Sequence, residues 1–287
     1  MYREVSGTPG PLALLGEAIA EVTSRRRLIR YLVSADMKKR GSDTFLGNLW
    51  WILDPLLQMV VYVVFVTIIS PRHQEAYPLF IFAAILPWKW YSSVVADAVG
   101  SVVMQAGLIR QIAFPKIVLP VAVTTANLVG FAWGLVPLMG LMLLFADRIT
   151  LYLLWIPVIA VVQYVFSIAT AIFLAAANVF FRDLGNIAGH LLRLWWFLSP
   201  SLFSLEQLDN IGFIKSHPWI QVLAAANPFA ILFTAYRTAI YGTSDGNGPP
   251  GNPDLVSLAA LLVGSIALCG VAAIVFKRLE PNFAKVL

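Results

Sequence analysis

From Leu49 onward the chain is a succession of long apolar runs separated by short polar breaks. Six runs, 49–69, 79–101, 117–145, 151–180, 187–203 and 255–276, are long enough to cross the bilayer as helices. A crossing of about 30 Å of hydrocarbon takes roughly 17–25 helical residues. Ahead of them the pattern is different. Cationic clusters, Arg25-Arg26-Arg27 and Lys38-Lys39-Arg40, bracket a stretch of mixed apolar and polar positions that ends before the paired Trp50 and Trp51. That order predicts an amphipathic helix at a membrane surface, with the two indoles at headgroup level, leading into the first span. The chain therefore divides into an N-terminal segment, 1–48, and a transmembrane domain, 49–287. The fold class is an all-α integral membrane protein. Gly7–Pro11 reads as a flexible start, and no cleavable signal peptide is expected, because the first 45 residues hold no apolar core followed by a small-residue cleavage site.

A further apolar run, 219–241, competes as a seventh span. Asn227-Pro228 interrupts it, and proline removes a backbone hydrogen bond there. The pattern instead predicts two short helices that dip into the outer leaflet and return, with Asn227 capping the second and Pro228 in its first turn. Irregular backbone at that depth needs cover from protein or a water-filled cavity. An interfacial hairpin that only packs is the competing reading.

Charge sets the orientation. Of the twenty Lys and Arg residues, fifteen fall on the side that holds the N-terminal segment, Arg110, Lys116, Arg182, Arg193 and the C-terminus. Four fall on the other side (Arg72, Arg148, Lys215 and Arg237), and Lys89 lies within a span. The positive-inside rule then puts both termini in the cytoplasm. Composition agrees: 59% of residues are apolar, 12% are charged, and the mean hydropathy is +0.79, far from the values of soluble domains.

Ionisable residues inside spans are functional candidates by default. Asp54-Pro55 is also the ordinary start of a helix, with Asp as N-cap, so an interfacial helix running to Leu53 and turning upright at Asp54 is expected. Lys89 lies about ten residues from either end of the second span and cannot easily reach water. It either binds an anion or pairs with a buried carbonyl or a carboxylate on a neighbouring helix; Asp97, eight residues on, is about 12 Å away along the helix. Aromatic clusters at Trp88–Tyr91, Trp195–Phe197 and Phe229–Tyr236 fit interfacial belts or surfaces that stack on sugar rings.

The residues of catalysis are largely missing. Cys269 is the only cysteine, and His73, His190 and His217 are scattered. G-x-S-x-G, H-E-x-x-H and the P-loop signature G-x-x-x-x-G-K-[ST] are absent. Such a chain has no means of hydrolysing ATP itself. Asp54, Asp97, Asp183 and Asp209 are spread over different depths, which argues against a membrane-embedded glycosyltransferase or ligase. The lack of a clear internal repeat argues against an ion-coupled secondary transporter.

Four motifs occur in order: Lys39-Arg40-Gly41 to Gly47-Asn48-Leu49-Trp50-Trp51-Ile52-Leu53-Asp54-Pro55-Leu56; Leu86-Pro87-Trp88; Leu108-Ile109-Arg110 to Phe114-Pro115-Lys116-Ile117-Val118-Leu119-Pro120; and Asn227-Pro228-Phe229 to Tyr236-Arg237. Together they resemble the transmembrane subunit of an ABC-2 type exporter, and more narrowly the permeases that export lipid-linked polysaccharides such as O-antigen, capsule, teichoic acid or galactan. The resemblance runs from about residue 25 to the C-terminus.

The resemblance implies a non-catalytic, six-span permease subunit in a bacterial inner or plasma membrane. It implies a homodimer that pairs with two copies of a separate P-loop ATPase, which binds ATP and Mg. This chain would hold no cofactor and no metal and would contact membrane lipids and a lipid-linked glycan, with no nucleic acid. By the same resemblance, Arg30, Tyr31, Lys38, Lys39 and Arg40 belong to a gate helix. Leu108, Ile109, Arg110, Phe114, Pro115 and Lys116 form a coupling loop on the ATPase, with Arg110 and Lys116 offered to acidic groups; an ordinary positive-inside loop is the alternative. Asn227, Pro228, Phe229, Tyr236 and Arg237 belong to an extracellular gate. Channel or substrate candidates are Trp50, Trp51, Trp88, Lys89, Trp90, Tyr91, Trp195 and Trp196, with the first and fifth spans lining the path. Lys89 departs from the family pattern and carries no family role. An ABC-2 drug or lipid exporter is the alternative within the same class.

Overall fold

The computed structural model describes residues 9–42, 46–69, 76–112, 114–204, 217–242 and 248–287; Gly7, Arg72, Asp209 and Lys215, all used above, lie outside them. The described residues contain helices and no strands. Two helices, α1 (Pro11–Ser24) and α2 (Arg26–Ser42), precede the bundle. It consists of α3 (Trp50–Ile69), α4 (Tyr77–Gly100), the short α5 (Ala106–Gln111), α6 (Val118–Leu143), α7 (Trp155–Phe180), α8 (Leu184–Leu198), α9 (Pro218–Ala225), α10 (Pro228–Ile240) and α11 (Leu255–Val286). Five of these, α3, α4, α6, α7 and α11, are long and apolar enough to cross a membrane.

The centre is α4, buried along most of its length and touching α3, α6, α7, α8 and α10. It packs closely on α6 because Gly134 has no side chain: a Cβ there would lie 2.2 Å from Leu86 Cδ1. Pro87 interrupts the α4 ladder, and its carbonyl accepts a 2.7 Å hydrogen bond from Gln163 Nε2 of α7. The Gln163 amide donor thereby finds a partner inside an apolar core, where leaving it unpaired would cost about 1–3 kcal/mol, while its buried Oε1 has none. A second core joins Ala18 of α1, Ile109 of α5 and Phe276 and Phe283 of α11 at the end of the bundle that carries both ends of the described chain, hereafter the termini end.

Two expectations are corrected. First, α3 begins at Trp50 and runs unbroken through Asp54-Pro55. Asp54 is therefore not an N-cap, because its side chain has a stronger partner than a free backbone amide, namely Lys89 of α4. Second, the run 187–203 is not one helix. Helix α8 starts earlier, at Leu184, and stops at Leu198, about 22 Å at 1.5 Å per residue. The path to the far end is completed by the non-helical stretch 199–204. Gly185 lies beside Val99, Trp196 beside Trp88, and the 200–203 carbonyls beside Arg237 and Phe80, so α8 and its tail together travel the length of α4.

Helices α9 and α10 meet at a 65° bend. Asn227 caps α10, its side chain accepting from the Phe229 amide at 3.0 Å. Phe229 packs on Trp88 and Arg237 reaches Phe80, so eight residues of α10 run antiparallel to eight of α4. Asn227 also bonds Trp195 and Ser199. The chain thus leaves α8 for the far end and returns inward to Asn227. Helix α10 then runs outward along α4 from the bend expected at Asn227-Pro228.

Candidate functional site

Four of the polar assemblies among the described residues tie one element of the bundle to another. The first ties α2 to the bundle. Arg40 lies within 2.5 Å of Asp97 on α4, 2.8 Å of Asp36 one turn back, and 3.4 Å of Asn127 Oδ1 on α6. Asn127 completes the set by donating to Asp97 at 2.9 Å. Burial works against the Arg40 charge, but the Asp97 and Asp36 carboxylates outweigh it and hold its pKa above the ordinary guanidinium value. Of the other gate-helix candidates, Arg30, Tyr31, Lys38 and Lys39 are exposed.

The second assembly is the Asp54–Lys89 ion pair between α3 and α4. It lies about 16 Å from the termini end of α4, near its midpoint. This fulfils the structural alternative for Lys89, a carboxylate on a neighbouring helix, and leaves its charge answered. The pair borders a cavity of 280 Å³ with Arg40, Trp50, Trp51, Trp90 and Asn127.

The aromatic candidates separate into two groups. Trp88, Tyr91, Trp195, Trp196, Phe166, Phe229 and Phe233 pack against one another, with ring centroids 4.8–6.5 Å apart. Their faces are taken by protein neighbours, so in this conformation Trp88, Tyr91 and Trp196 form core rather than a sugar-stacking wall. Trp50, Trp51 and Trp90 border open space, and Trp90 also stacks on Phe131.

The third assembly centres on Arg237. Its guanidinium, 5% exposed, donates to the carbonyls of Phe80 (3.2 Å), Pro200 (2.6 Å), Phe203 (3.0 Å) and Ser201, and sits 3.7 Å from the Phe80 ring centroid. The non-helical tail of α8 has no ladder of its own, and Arg237 supplies the donors that a buried backbone needs. Tyr236, next to it, is buried.

The fourth assembly is at the termini end. Lys277 of α11 pairs with Glu17 and Glu21 of α1, both at 2.9 Å, and with Glu280 at 2.7 Å. Glu280 also accepts from the Lys116 amide at 2.8 Å and lies 3.7 Å from its ammonium. Burial raises the Glu21 carboxyl above its ordinary value, against the lowering hydrogen bond from Lys277. The Arg110 guanidinium rests on the Leu287 carbonyl. Arg110 and Lys116 thus each have a partner within the chain, while Arg110 remains exposed. Ile109 faces inward, and Phe114 and Pro115 are half-buried. Outward this loop presents three apolar side chains, Met104 (76% exposed), Leu108 (37%) and Ile112 (56%), alongside exposed Gln105, Arg110 and Gln111.

Sequence reasoning missed several participants. Asp36 stands four residues before Arg40, a spacing that signals a helical ion pair, and Asn127 and Gln163 are side-chain amides within largely apolar runs. Exposed Phe181, Arg182 and Asp183 connect α7 to α8 on the same end as α5, since the Phe180 ring meets Phe283. The meeting of Glu17 and Glu21 with Lys277 and Glu280 had no readable signal, because the two pairs lie some 256 residues apart in the chain. Among the described residues, no group of three or more His, Cys, Asp or Glu side chains is placed to hold a metal ion.

A multi-pass helical bundle with paired charges between its spans, and a short exposed helix joining two of them, is the build of a membrane permease. The chain belongs to the ABC-2 type polysaccharide export permease family. It is 32% identical over 267 residues to the O-antigen export system permease protein RfbA of Myxococcus xanthus, covering 93% of this chain and 98% of that protein. Two proteins of the same name from Klebsiella pneumoniae are 24% and 23% identical over 261 residues, 91% of this chain and 95% of each relative. No family model matches the chain.

Proposed function

We propose that the chain is the transmembrane subunit of an ATP-driven ABC exporter that carries a lipid-linked polysaccharide out of the cytoplasm. It acts as a homodimer with two copies of a separate P-loop ATPase, which binds the ATP and Mg. It resides in a bacterial inner membrane with both termini in the cytoplasm, so the termini end is the cytoplasmic end, a reading that the fifteen Lys and Arg residues on that side support. The observation that carries this reading is α5: Ile109 packs inward with Phe276 and Phe283 of α11, and outward the helix and its flanks offer Met104, Leu108 and Ile112 among exposed polar residues. An apolar knob on a braced platform suits docking into a groove on a partner. The names of the relatives supply the cargo class.

The mechanism follows the joints. ATP-driven closure of the ATPase pair pushes on α5. A short link passes the push to the end of α4, where Asp97, one turn from that end, holds Arg40 and with it α2. Helix α2 thereby moves with the ATPase and gates entry, while the α9–α10 pair, held by Arg237, closes the outer side. Apolar faces of α3 (Val61, Val64, Phe65) and α8 (Leu191, Leu194, Phe197) are uncovered in the single chain and meet the second copy, the lipid and the channel. A membrane glycosyltransferase would need converging free carboxylates, whereas Asp54 and Asp97 are each held by a cation on a different helix.

Gentle solubilisation of the tagged protein from its native membrane tests this reading. A stoichiometric P-loop subunit with ATPase activity is the expected result. A lone permease across several detergents would overturn it.

A further inference from the structure

The 280 Å³ cavity between α2, α3, α4 and α6 carries an unusual inventory for the interior of a membrane bundle. Three indoles, Trp50, Trp51 and Trp90, border it together with Arg40, Asp54, Lys89, Ser93 and Asn127. Ionisable groups at such depth normally face a hydrated lumen or a ligand. Trp90 is 3% exposed, yet its indole N–H has no hydrogen-bond partner. That N–H is out of reach of a water molecule, so what Trp90 offers the cavity is its ring and not its donor.

The charges define what that ligand is. Arg40 is matched by Asp36 and Asp97, and Lys89 by Asp54, so the cavity offers no surplus positive charge to an anion. It offers apolar ring faces beside hydrogen-bonding groups of both kinds. That combination suits a neutral ring with C–H faces and several hydroxyls. The volume is at or below the small end for ligand pockets, about 300–1,000 Å³, and so fits a single ring rather than an oligomer.

We propose that this cavity is a subsite for one neutral sugar ring, held between the indoles with its hydroxyls on Asp54, Lys89 and Asn127. Resting on the exporter reading, the ring is a residue of the transported glycan, detained beside the Arg40 latch before it enters the path between subunits. Gly130 keeps the space open: its Cβ position lies 3.9 Å from Trp51, and any longer side chain there projects into the cavity.

The test is saturation-transfer NMR on the purified full chain in nanodiscs, with the methyl glycosides of galactose, glucose, mannose, rhamnose and N-acetylglucosamine as probes. At least one glycoside should give a saturable signal, strongest on ring C–H protons. Gly130→Leu should weaken it at least tenfold and Trp90→Phe about threefold, while Trp219→Phe, far from the cavity, leaves it unchanged. If Gly130→Leu does not fold, Ser93→Leu fills the same space. No signal from all five glycosides, or a signal undiminished in a folded cavity-filling variant, overturns the subsite. Export that continues at full rate in a variant that has lost glycoside binding overturns its assignment to the transported glycan. Failure here leaves a co-purifying ATPase untouched, and a lone permease that binds glycosides would sink the exporter while sparing the cavity.

Discussion

Arg237→Met removes five donors from a place water does not reach. Four carbonyl oxygens, those of Phe80, Pro200, Ser201 and Phe203, lose their partner together. Replacing both members of a buried polar contact by apolar groups is often harmless, but that escape is closed here because the acceptors are backbone. Each stranded carbonyl costs about 1–3 kcal/mol. Local relaxation and the relief of a buried charge return part of the sum, leaving a loss of about 3–5 kcal/mol, as for other broken buried charge contacts. At about 2 °C per kcal/mol, Tm in detergent should fall by roughly 6–10 °C. Arg237→Lys keeps the charge but lacks the planar fork that reaches several carbonyls at once, so it should fall between the two. Thermal unfolding followed by size exclusion reads the order wild type, Lys, Met. A Met variant within 2 °C of wild type would mean that the 199–204 stretch is held by something other than Arg237.

Three further outcomes follow from the other joints. Asp97→Asn should weaken the anchoring of α2 by about 1.5–3 kcal/mol, the range of a hydrogen bond to a charged group; amide exchange should rise across 26–42 but not in α4, and an unchanged α2 would remove the latch. A double-mutant cycle on Asp54→Leu and Lys89→Met should give a favourable coupling of between about 0.5 and 3 kcal/mol, the double variant being more stable than the additive sum; zero coupling would mean that the pair is solvated and silent. Met104→Glu, Leu108→Glu and Ile112→Glu should each cut export and ATPase association while leaving Tm near wild type. Lys116→Glu, set against Glu280, should lower Tm instead, and the reverse assignment would show the loop to dock by charge.

The spans were legible because their signal is additive: twenty or so apolar residues outweigh any single polar one. The re-entrant pair was legible because Asn227-Pro228 is both a break and a cap. The fifth crossing misled, since apolar character continues past Leu198 although the helix does not. What stops the helix is the Ser199-Pro200-Ser201 turn together with an acceptor-hungry Arg237 nearly forty residues later. Asp54 misled for a related reason. Asp-Pro is a start signal only where no better partner exists, and the partner, Lys89, becomes visible only when α3 and α4 are laid side by side.

The same asymmetry explains where function concentrates in this chain. Apolar packing fixes where the helices run, but between spans that lipid wets as readily as neighbouring helices do it is only weakly selective. Each polar joint makes one particular pairing matter: α2 to α4 through Arg40, α3 to α4 through Lys89, α10 to the tail of α8 through Arg237, and α1 to α11 through Lys277. Three of the four joints have a member on α4 or reach its backbone. A displacement of α4 along its axis therefore reaches the entry helix, the mid-depth cavity and the outer re-entrant pair at once. Helix α5, joined to α4 by only five residues, is the place where a partner can apply that displacement.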